Sequence, residues 1–267
     1  MYKFRRLLTT LALGACASFT LAELRAGEPP CTPLFNGKNL DGWTVFYAAN
    51  PLDDRPPTAL FEVIDGTIHT YPKDAAGTEQ RQAYIQADGD HKDYVLHVEY
   101  KWGEKKFIPR MNAPRDAGLM FHIYENPPFS WPHCVELQIQ EGDTTDLWGL
   151  SSRATSTIDP QTKRYAAAAN GGVPVTVGGA YERILHAEGN NEKPDDWNSV
   201  DLIVRGDTAI YRINGEIKMR ATDLKPLDAG SKSGPRLDHG KIALQTEFAE
   251  VFYRNICIRP VTPADPQ

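Results

Sequence analysis

Segments in which apolar and polar residues alternate dominate this chain, and they constrain its fold more than any other feature. The longest such segment spans residues 94–102. Because side chains along a strand point alternately to the two faces of a sheet, this pattern predicts half-buried β-strands. No window of a dozen residues has a convincing helical period. Six further segments alternate in the same way: 118–124, 135–141, 200–205, 209–213, 241–248 and 251–258.

Turn signals separate these segments, and the clearest is Asn214-Gly215, a dipeptide typical of a β-hairpin. Many short antiparallel strands predict an all-β protein, a two-sheet β-sandwich of the jelly-roll type. We find no linker within 27–267, so we expect a single domain there. The stretch 142–195 is predicted to be a long excursion between strands, with one turn of helix near 165–169.

The N-terminus carries the pattern of an export signal. A basic start precedes an apolar stretch at 7–21, and small residues follow at Ala22 and Ala26. This order is typical of a secretory signal peptide covering residues 1–26. An alternative is a lipoprotein signal, since the Leu-Gly-Ala-Cys sequence ending at Cys16 resembles a bacterial lipobox. Both interpretations predict an exported protein, either periplasmic or secreted.

The net charge of the chain narrows its possible partners. The net charge of −6 becomes −9 without residues 1–26, which carry four basic side chains and one acidic one. An acidic chain without Lys/Arg runs argues against nucleic acid and anionic membranes as partners. No apolar run after the N-terminal stretch is long enough to span a bilayer.

Cys31, Cys134 and Cys257 allow at most one internal disulfide, and Cys257 is predicted to be a buried thiol.

A polar row along one predicted strand is the first candidate for a functional surface. Between 135 and 141, Val135, Leu137 and Ile139 share one face, while Glu136 and Gln138 share the other. Such a row is either a solvated outer face or the lining of a concave sheet face that hydrogen-bonds a sugar.

Neighbouring segments favour the second interpretation. His122 and Tyr124 are predicted to share one strand face, and so are Gln245 and Glu247. The rings of Trp131, Trp148 and Trp197 are suited either to stacking on a sugar or to packing within the protein.

The familiar carboxylate pair of a glycosidase is missing from this row. Such enzymes place two carboxyl groups about 5–9 Å apart, but Gln138 stands where a second acid would follow Glu136. A pair of Glu136 with Glu247 across strands stays open. The acidic loop 141–146 is either a solvated turn or a site for a divalent metal such as Ca²⁺. No other cofactor is indicated, since zinc and nucleotide motifs are absent from the sequence.

Several blocks, in order along the chain, resemble the 3-keto-disaccharide hydrolase family, formerly a domain of unknown function. The resemblance covers roughly residues 32–260. Two departures occur, because Asp116-Ala117 replaces a commoner Asn-Ser and Glu141 stands where an Asp often follows. The blocks are Leu-Phe-Asn-Gly-Lys-Asn-Leu-Asp-Gly-Trp at 34–43, Phe-Glu-Val-Ile-Asp-Gly at 61–66, 116–122, Glu-Leu-Gln-Ile at 136–139, 196–198, 214–215, Gly-Lys-Ile-Ala-Leu-Gln at 240–245 and Tyr-Arg-Asn-Ile at 253–256.

The resemblance implies a concanavalin-like jelly roll that cleaves glycosides already oxidised to a ketone at C3. A C3 ketone acidifies the C2 proton, so one base can remove it while the glycosidic oxygen leaves by β-elimination. Water then adds, which gives net hydrolysis. Such a site needs a base, electrophilic help at the C3 oxygen and an acid for the leaving group.

Role assignments follow from this chemistry. We expect Glu136 or His122 to be the base and Glu247 to be the acid. Arg254 is either a sugar contact or a buried structural ion. The predicted substrate-binding set is Gln138, Tyr124, Gln245, Arg254, Asp116 and Trp148.

Two other functions stay open on this sequence. A carbohydrate-binding module would use the same polar face without breaking a bond, and a conventional glycosidase would need two nearby carboxylates. For all three functions the expected partner is an oligosaccharide or glycoside. For the 3-keto-disaccharide hydrolase, that partner is the 3-keto form. An oxidoreductase that makes the keto-sugar is a metabolic partner, and no specific protein partner is predicted.

Overall fold

Antiparallel strands make up nearly all of the regular structure. The computed structural model describes residues 29–189, 191–227 and 235–267, and Cys31–Gln267 form one compact unit. The predicted signal peptide with Cys16 lies outside the described residues. Two 3₁₀ segments cover Pro57–Leu60 and Ala168–Asn170. The strands are β1 (Thr32–Pro33), β2 (Trp43–Tyr47), β3 (Phe61–Ile64), β4 (Thr67–Thr70), β5 (Ala83–Ala87), β6 (Tyr94–Lys106), β7 (Asp116–Glu125), β8 (His133–Gln140), β9 (Leu147–Ile158), β10 (Val173–Ile184), β11 (Asn198–Arg205), β12 (Thr208–Ile213), β13 (Glu216–Pro226), β14 (Lys241–Thr246) and β15 (Ala249–Pro260).

The strands form two sheets. Sheet 1 has the order β3-β4-β15-β6-β11-β12-β13, with β1 added along β15. Sheet 2 has the order β2-β5-β14-β7-β8-β9, with β10 added along β9. Strand β13 also pairs with β9 and so connects the two sheets. This arrangement confirms the predicted all-β, two-sheet antiparallel jelly roll.

The main core lies between the sheets, because each strand turns its apolar residues inward. Leu96 of β6 and Tyr211 of β12 contribute from sheet 1, and Leu119 of β7 and Leu137 of β8 contribute from sheet 2; all four are fully buried. Burying a side chain of this size stabilises the fold by about 1.5–3 kcal/mol. The polar residues that alternate with Leu119 and Leu137 therefore lie on the opposite face of sheet 2.

All seven alternating segments form strands, with ends shifted by a few residues. The predicted hairpin is confirmed, since Asn214 and Gly215 join β12 to β13 with φ of 49° and 86°. The excursion predicted for 142–195 is wrong, because β9 and β10 lie in it. β9 is rich in Ser and Thr, and the alternation of valines at 173–177 in β10 is short and followed by two glycines, so neither strand was recognised in the sequence. The 3₁₀ segment Ala168–Asn170 overlaps the predicted turn of helix.

A disulfide joins Cys31 to Cys257, which corrects the expectation that Cys257 is a buried thiol. It holds the N-terminal strand β1 beside β15, where Pro33 pairs with Cys257. Cys134 is a buried free thiol. Disulfides are typical of proteins that fold in oxidising compartments. No helix in the described part of the chain is long and apolar enough to cross a membrane.

Candidate active site

A buried polar row crosses the face of sheet 2 that is turned away from the core, here called the site face. Glu136 and Gln138 on β8 and Gln245 on β14 are only 4%, 6% and 4% exposed. A solvated outer face would leave such side chains open to water. Their burial argues against the solvated outer face and is consistent with the second interpretation of the sequence, in which the row lines a concave face.

Strand register determines which side chains are neighbours on the site face. Glu136 pairs with Met120 of β7 on one side and with Trp148 of β9 on the other. Gln138 pairs with Gly118 of β7. Leu244 pairs with Leu119, which sets Gln245 on the other side of Gly118. Gly118 is therefore flanked by Gln138 and Gln245 on the site face.

The missing side chain at Gly118 makes room for two oxygens. A Cβ added there would lie 1.8 Å from Oε1 of Glu136 and 2.6 Å from Oε1 of Gln245. The sum of these distances puts the two oxygens within about 4.4 Å of each other. Both are buried and have no hydrogen-bond partner within the described part of the chain. Two acceptor oxygens thus converge where a proton or a ligand donor would satisfy them.

Arg110, in the loop between β6 and β7, holds the other two carboxylates of the site. Its guanidinium lies 2.6 Å from Oδ2 of Asp116 and 2.8 Å from Oε1 of Glu247. The amide nitrogen of Gln138 donates to Asp116 at 2.8 Å, and that of Gln245 donates to Glu247 at 3.0 Å. These donations fix both amides, because a carboxylate accepts but does not donate.

Burial shifts the pKa of all three carboxyl groups upward. Burial, together with the nearby Asp116 and Glu247, raises the pKa of Glu136 well above its ordinary value. Burial also raises the pKa of Asp116 and of Glu247, against the opposing effect of Arg110. Among the residues that the structure describes, Glu136 differs from the other two in having no cation beside it. Because no cation stabilises its charge, the ionised Glu136 is well suited to accept a proton.

His122 lies apart from this group, although we predicted that it shares a face with Tyr124. With a φ of 51°, His122 interrupts the alternation of β7. As a result Phe121 and His122 both face sheet 1, where Nε2 of His122 lies 3.1 Å from the carbonyl oxygen of Gly206. Tyr124 is exposed and donates to the carbonyl oxygen of Ser151 at 2.5 Å. A bulge of this kind leaves no trace in the apolar pattern.

Arg254 also lies elsewhere, on the outer face of sheet 1. Its Nε donates to Glu99 at 2.7 Å, and its guanidinium stacks 3.8 Å from the ring centre of Trp197. The side chain is 38% exposed, so it is not the buried ion of the alternative prediction either. Arg254 alternates with the core residue Tyr253, and this alternation directs it away from sheet 2.

The acidic loop 141–146 contributes to a separate cluster. Asp143 and Asp146 lie with His186 so that one ligand atom of each falls within 4.8 Å of the others. However, Arg183 contacts both carboxylates at 3.4 and 3.3 Å, and His186 Nδ1 lies 2.7 Å from Asp146. A guanidinium already supplies the positive charge that a metal would bring. The residues present therefore fit an ion-pair network better than a Ca²⁺ site.

Sequence reasoning missed two residues of the site. Arg110 lies in the irregular loop that follows β6, where no periodicity indicates the direction of a side chain. Gly118 looks like an interruption of β7, yet its lack of a side chain shapes the site. The signal that was available is that a glycine inside a strand often marks a close approach of another group.

Comparison with solved structures shows the same fold in other proteins. A candidate glycosyl hydrolase from Parabacteroides distasonis ATCC 8503 has 18% sequence identity and a TM-score of 0.51, covering 87% of this chain and 94% of that one. A second candidate glycosyl hydrolase from that organism has 16% identity and a TM-score of 0.50, covering 87% of this chain and all of that one. A search of curated proteins gives no match to this chain.

A family model matches the chain from residue 30 to residue 259, a range that contains both sheets and every residue of the site. This match confirms the resemblance seen in the sequence blocks and makes the protein a carbohydrate-active one. The chain belongs to the family described as the 3-keto-alpha-glucoside-1,2-lyase-like domain.

Proposed function

We propose that this protein cleaves 3-keto-glycosides by removing the C2 proton and expelling the glycosidic oxygen. The observation that supports this most is the state of Glu136, a buried carboxyl group with a raised pKa that has, within the described ranges, no cation beside it and one oxygen without a hydrogen-bond partner. A conventional glycosidase needs two free carboxyl groups. Here Asp116 and Glu247 are both bound to Arg110.

The proposed reaction balances without a cofactor. Glu136 takes the C2 proton, the C1–C2 double bond forms, and the bond from C1 to the glycosidic oxygen breaks. The leaving group takes up one proton, which restores the base to its starting state when that proton comes from Glu136. Water then adds across C1 and C2, placing hydroxyl on C1 and hydrogen on C2, so that the net change is hydrolysis.

Developing charge at the C3 oxygen needs donors, and one edge of the site supplies them. The Nε–H of Arg110 is buried and has no hydrogen-bond partner among the described residues. Placed beside the C3 carbonyl, this cationic donor would stabilise the enolate that forms when C2 loses its proton. Gln138 and Asp116 hold the surroundings of Arg110 in place.

The predicted acid role of Glu247 stays a prediction. Its two oxygens accept hydrogen bonds from Arg110 and Gln245, which also gives Glu247 a positioning role. The single-domain extent of 27–267 and the export signal at 1–26 likewise stay proposals. The Cys31–Cys257 disulfide supports export, because such bonds persist in oxidising compartments.

A paired assay of the mature protein tests the proposed function. We expect glucose to be released from 3-keto-trehalose, whereas trehalose itself is left intact. Cleavage of plain trehalose would instead indicate a two-carboxylate glycosidase. Binding of the keto-sugar without cleavage of it or of other keto-glycosides would indicate a carbohydrate-binding module.

A further inference from the structure

The site face has an apolar half that the proposed chemistry does not use. Next to the polar row lies a cluster in which half-buried rings cover buried apolar residues. We call it the apolar cluster. It consists of the buried Ala48, Tyr84, Met120, Ile123, Cys134, Leu150 and Ala243 and the half-buried Phe46, Trp131 and Trp148.

Glu136 lies at the boundary between the two halves. Its partners across the sheet, Met120 and Trp148, both belong to the apolar cluster. In the other direction along β8, the next side chain on this face is Gln138, which leads to Asp116 and Arg110. A substrate carbon above Glu136 would therefore have polar groups on one side and carbon-rich rings on the other.

The order of atoms in the substrate then fixes its orientation. C2 lies between C1, which carries the leaving group, and C3, which carries the carbonyl oxygen. If Arg110 binds the C3 oxygen, C1 and its leaving group extend toward the apolar cluster. The ring of Trp148 is adjacent to Glu136, and its indole nitrogen is buried without a hydrogen-bond partner in the described ranges. This N–H, on the residue opposite the proposed base, is a candidate donor to the departing oxygen.

We propose that the leaving group of the natural substrate is an aromatic aglycone bound against the apolar cluster, with Trp148 donating to the departing oxygen. This inference rests on the proposed function, because it takes Glu136 as the C2 base. A second sugar would present several hydroxyl groups to a cluster whose neighbouring polar groups, on Tyr84, Asn126 and Gln86, already bond one another. An aryl group buries its faces there without unpaired hydroxyls.

Three substrates with the same oxidised sugar test the inference: 2-phenylethyl 3-keto-α-glucoside, methyl 3-keto-α-glucoside and 3-keto-trehalose. The first two release simple alcohols of similar acidity, so their difference reports on the ring and not on leaving-group chemistry. We expect kcat/KM for the phenylethyl compound to exceed that of the methyl compound by roughly 30-fold, mostly through KM. For 3-keto-trehalose, whose leaving group is more acidic, KM is the quantity to compare, and we expect it to be higher than that of the phenylethyl compound. Equal kcat/KM for the phenylethyl and methyl compounds would overturn the inference and leave the proposed function standing, as would a KM for 3-keto-trehalose at or below that of the phenylethyl compound.

Matched tryptophan variants locate the effect. Trp131→Ala removes a ring from the apolar cluster and should lower the phenylethyl-to-methyl ratio about tenfold. Trp197→Ala, on the outer face of sheet 1, should leave that ratio unchanged. Phe46→Ala serves as a second cluster variant if Trp131→Ala fails to fold. An unchanged ratio in the cluster variants would overturn the inference.

Binding of an unoxidised glycoside separates this inference from the reaction itself. 2-Phenylethyl α-glucoside has no C3 ketone and cannot undergo the elimination. We expect it to bind at least about tenfold more tightly than methyl α-glucoside by calorimetry. Such binding without elimination of any 3-keto-glycoside would overturn the proposed function alone. Equal binding of the two glucosides would overturn the aromatic subsite.

Discussion

Oε1 of Glu136 occupies the space that a side chain at position 118 would fill, since a Cβ on Gly118 would lie 1.8 Å from it. The two residues belong to neighbouring strands, and the carboxyl group of one leans over the bare backbone of the other. This relationship makes the position of the proposed base depend on a glycine.

Gly118→Ala should therefore impair activity without touching the chemistry of any functional group. The added methyl group must displace the Glu136 carboxyl, and misplacement of a catalytic group by an ångström lowers the rate about 100-fold. We expect an overpacking cost of about 1–3 kcal/mol in the free energy of unfolding. Gly179→Ala in β10 is the control, because a Cβ there meets only the flexible Glu182 side chain at 3.1 Å. Full activity of Gly118→Ala would reject this account of the site.

Glu136→Gln should abolish the proposed base while preserving the fold. We expect kcat to fall at least about 100-fold, the usual contribution of a general base. The amide is nearly the same size as the carboxyl group, so near-native circular dichroism should accompany the loss. Unchanged turnover would reject Glu136 as the base.

The same substitution should stabilise the protein, and more so at higher pH. The folded-state pKa of Glu136 is raised above its ordinary value of 4.5. Below pH 4.5 the carboxyl group is protonated in both the folded and the unfolded state, so its ionisation costs no stability. As the pH rises above 4.5, Glu136 ionises in the unfolded chain while it stays protonated in the folded protein, and stability is lost. We expect the Tm gain of Glu136→Gln to be larger at pH 8 than at pH 4.5. A pH-independent difference would contradict the raised pKa.

Wild-type activity should increase with pH through the titration of Glu136. A base acts only when ionised, and its pKa lies well above the ordinary 4.5 of a glutamate. We expect kcat/KM on 3-keto-trehalose to be low at pH 5 and to rise with pH above it. Activity that is constant down to pH 5 would show that the base titrates like an exposed carboxyl group.

Arg110→Met should destabilise the site, because it leaves Asp116 and Glu247 without their shared cation. Removing one partner of a buried ion pair costs about 3–5 kcal/mol, and the lower end applies because the Arg110 side chain is 28% exposed. The loss should be smaller at pH 5, where the two carboxyl groups can protonate. Arg236→Met is the control for an exposed arginine, since the Arg236 side chain that pairs with Asp207 is 66% exposed. Equal losses in the two variants, measured by urea unfolding, would contradict this account.

The fold could largely be predicted from the sequence, because alternation and turn dipeptides are local signals. They located β6, β8 and the β12–β13 hairpin. They missed β9 and β10, whose Ser, Thr and Gly residues do not report which face is buried. They also misplaced His122, because a single left-handed φ reverses the facing of a side chain without changing the residue pattern.

The candidate site could be predicted only in part. Glu136, Gln138 and Gln245 were found because each lies on the polar face of a regular strand. Arg254 met the same criterion, but on a strand of the other sheet, and alternation does not tell which sheet a strand joins. Arg110 was missed because a loop brings it to the site, and because Glu247, one of its two partners, is far away in sequence.

The most direct test of the central claim follows the hydrogen at C2 by NMR while 3-keto-trehalose reacts in D₂O. If Glu136 removes the C2 proton, the wild-type protein should give 3-keto-glucose that carries deuterium at C2. Glu136→Gln should show neither glucose release nor deuterium uptake above the protein-free control. Glucose release by the wild-type protein with the original hydrogen retained at C2 would contradict the elimination mechanism.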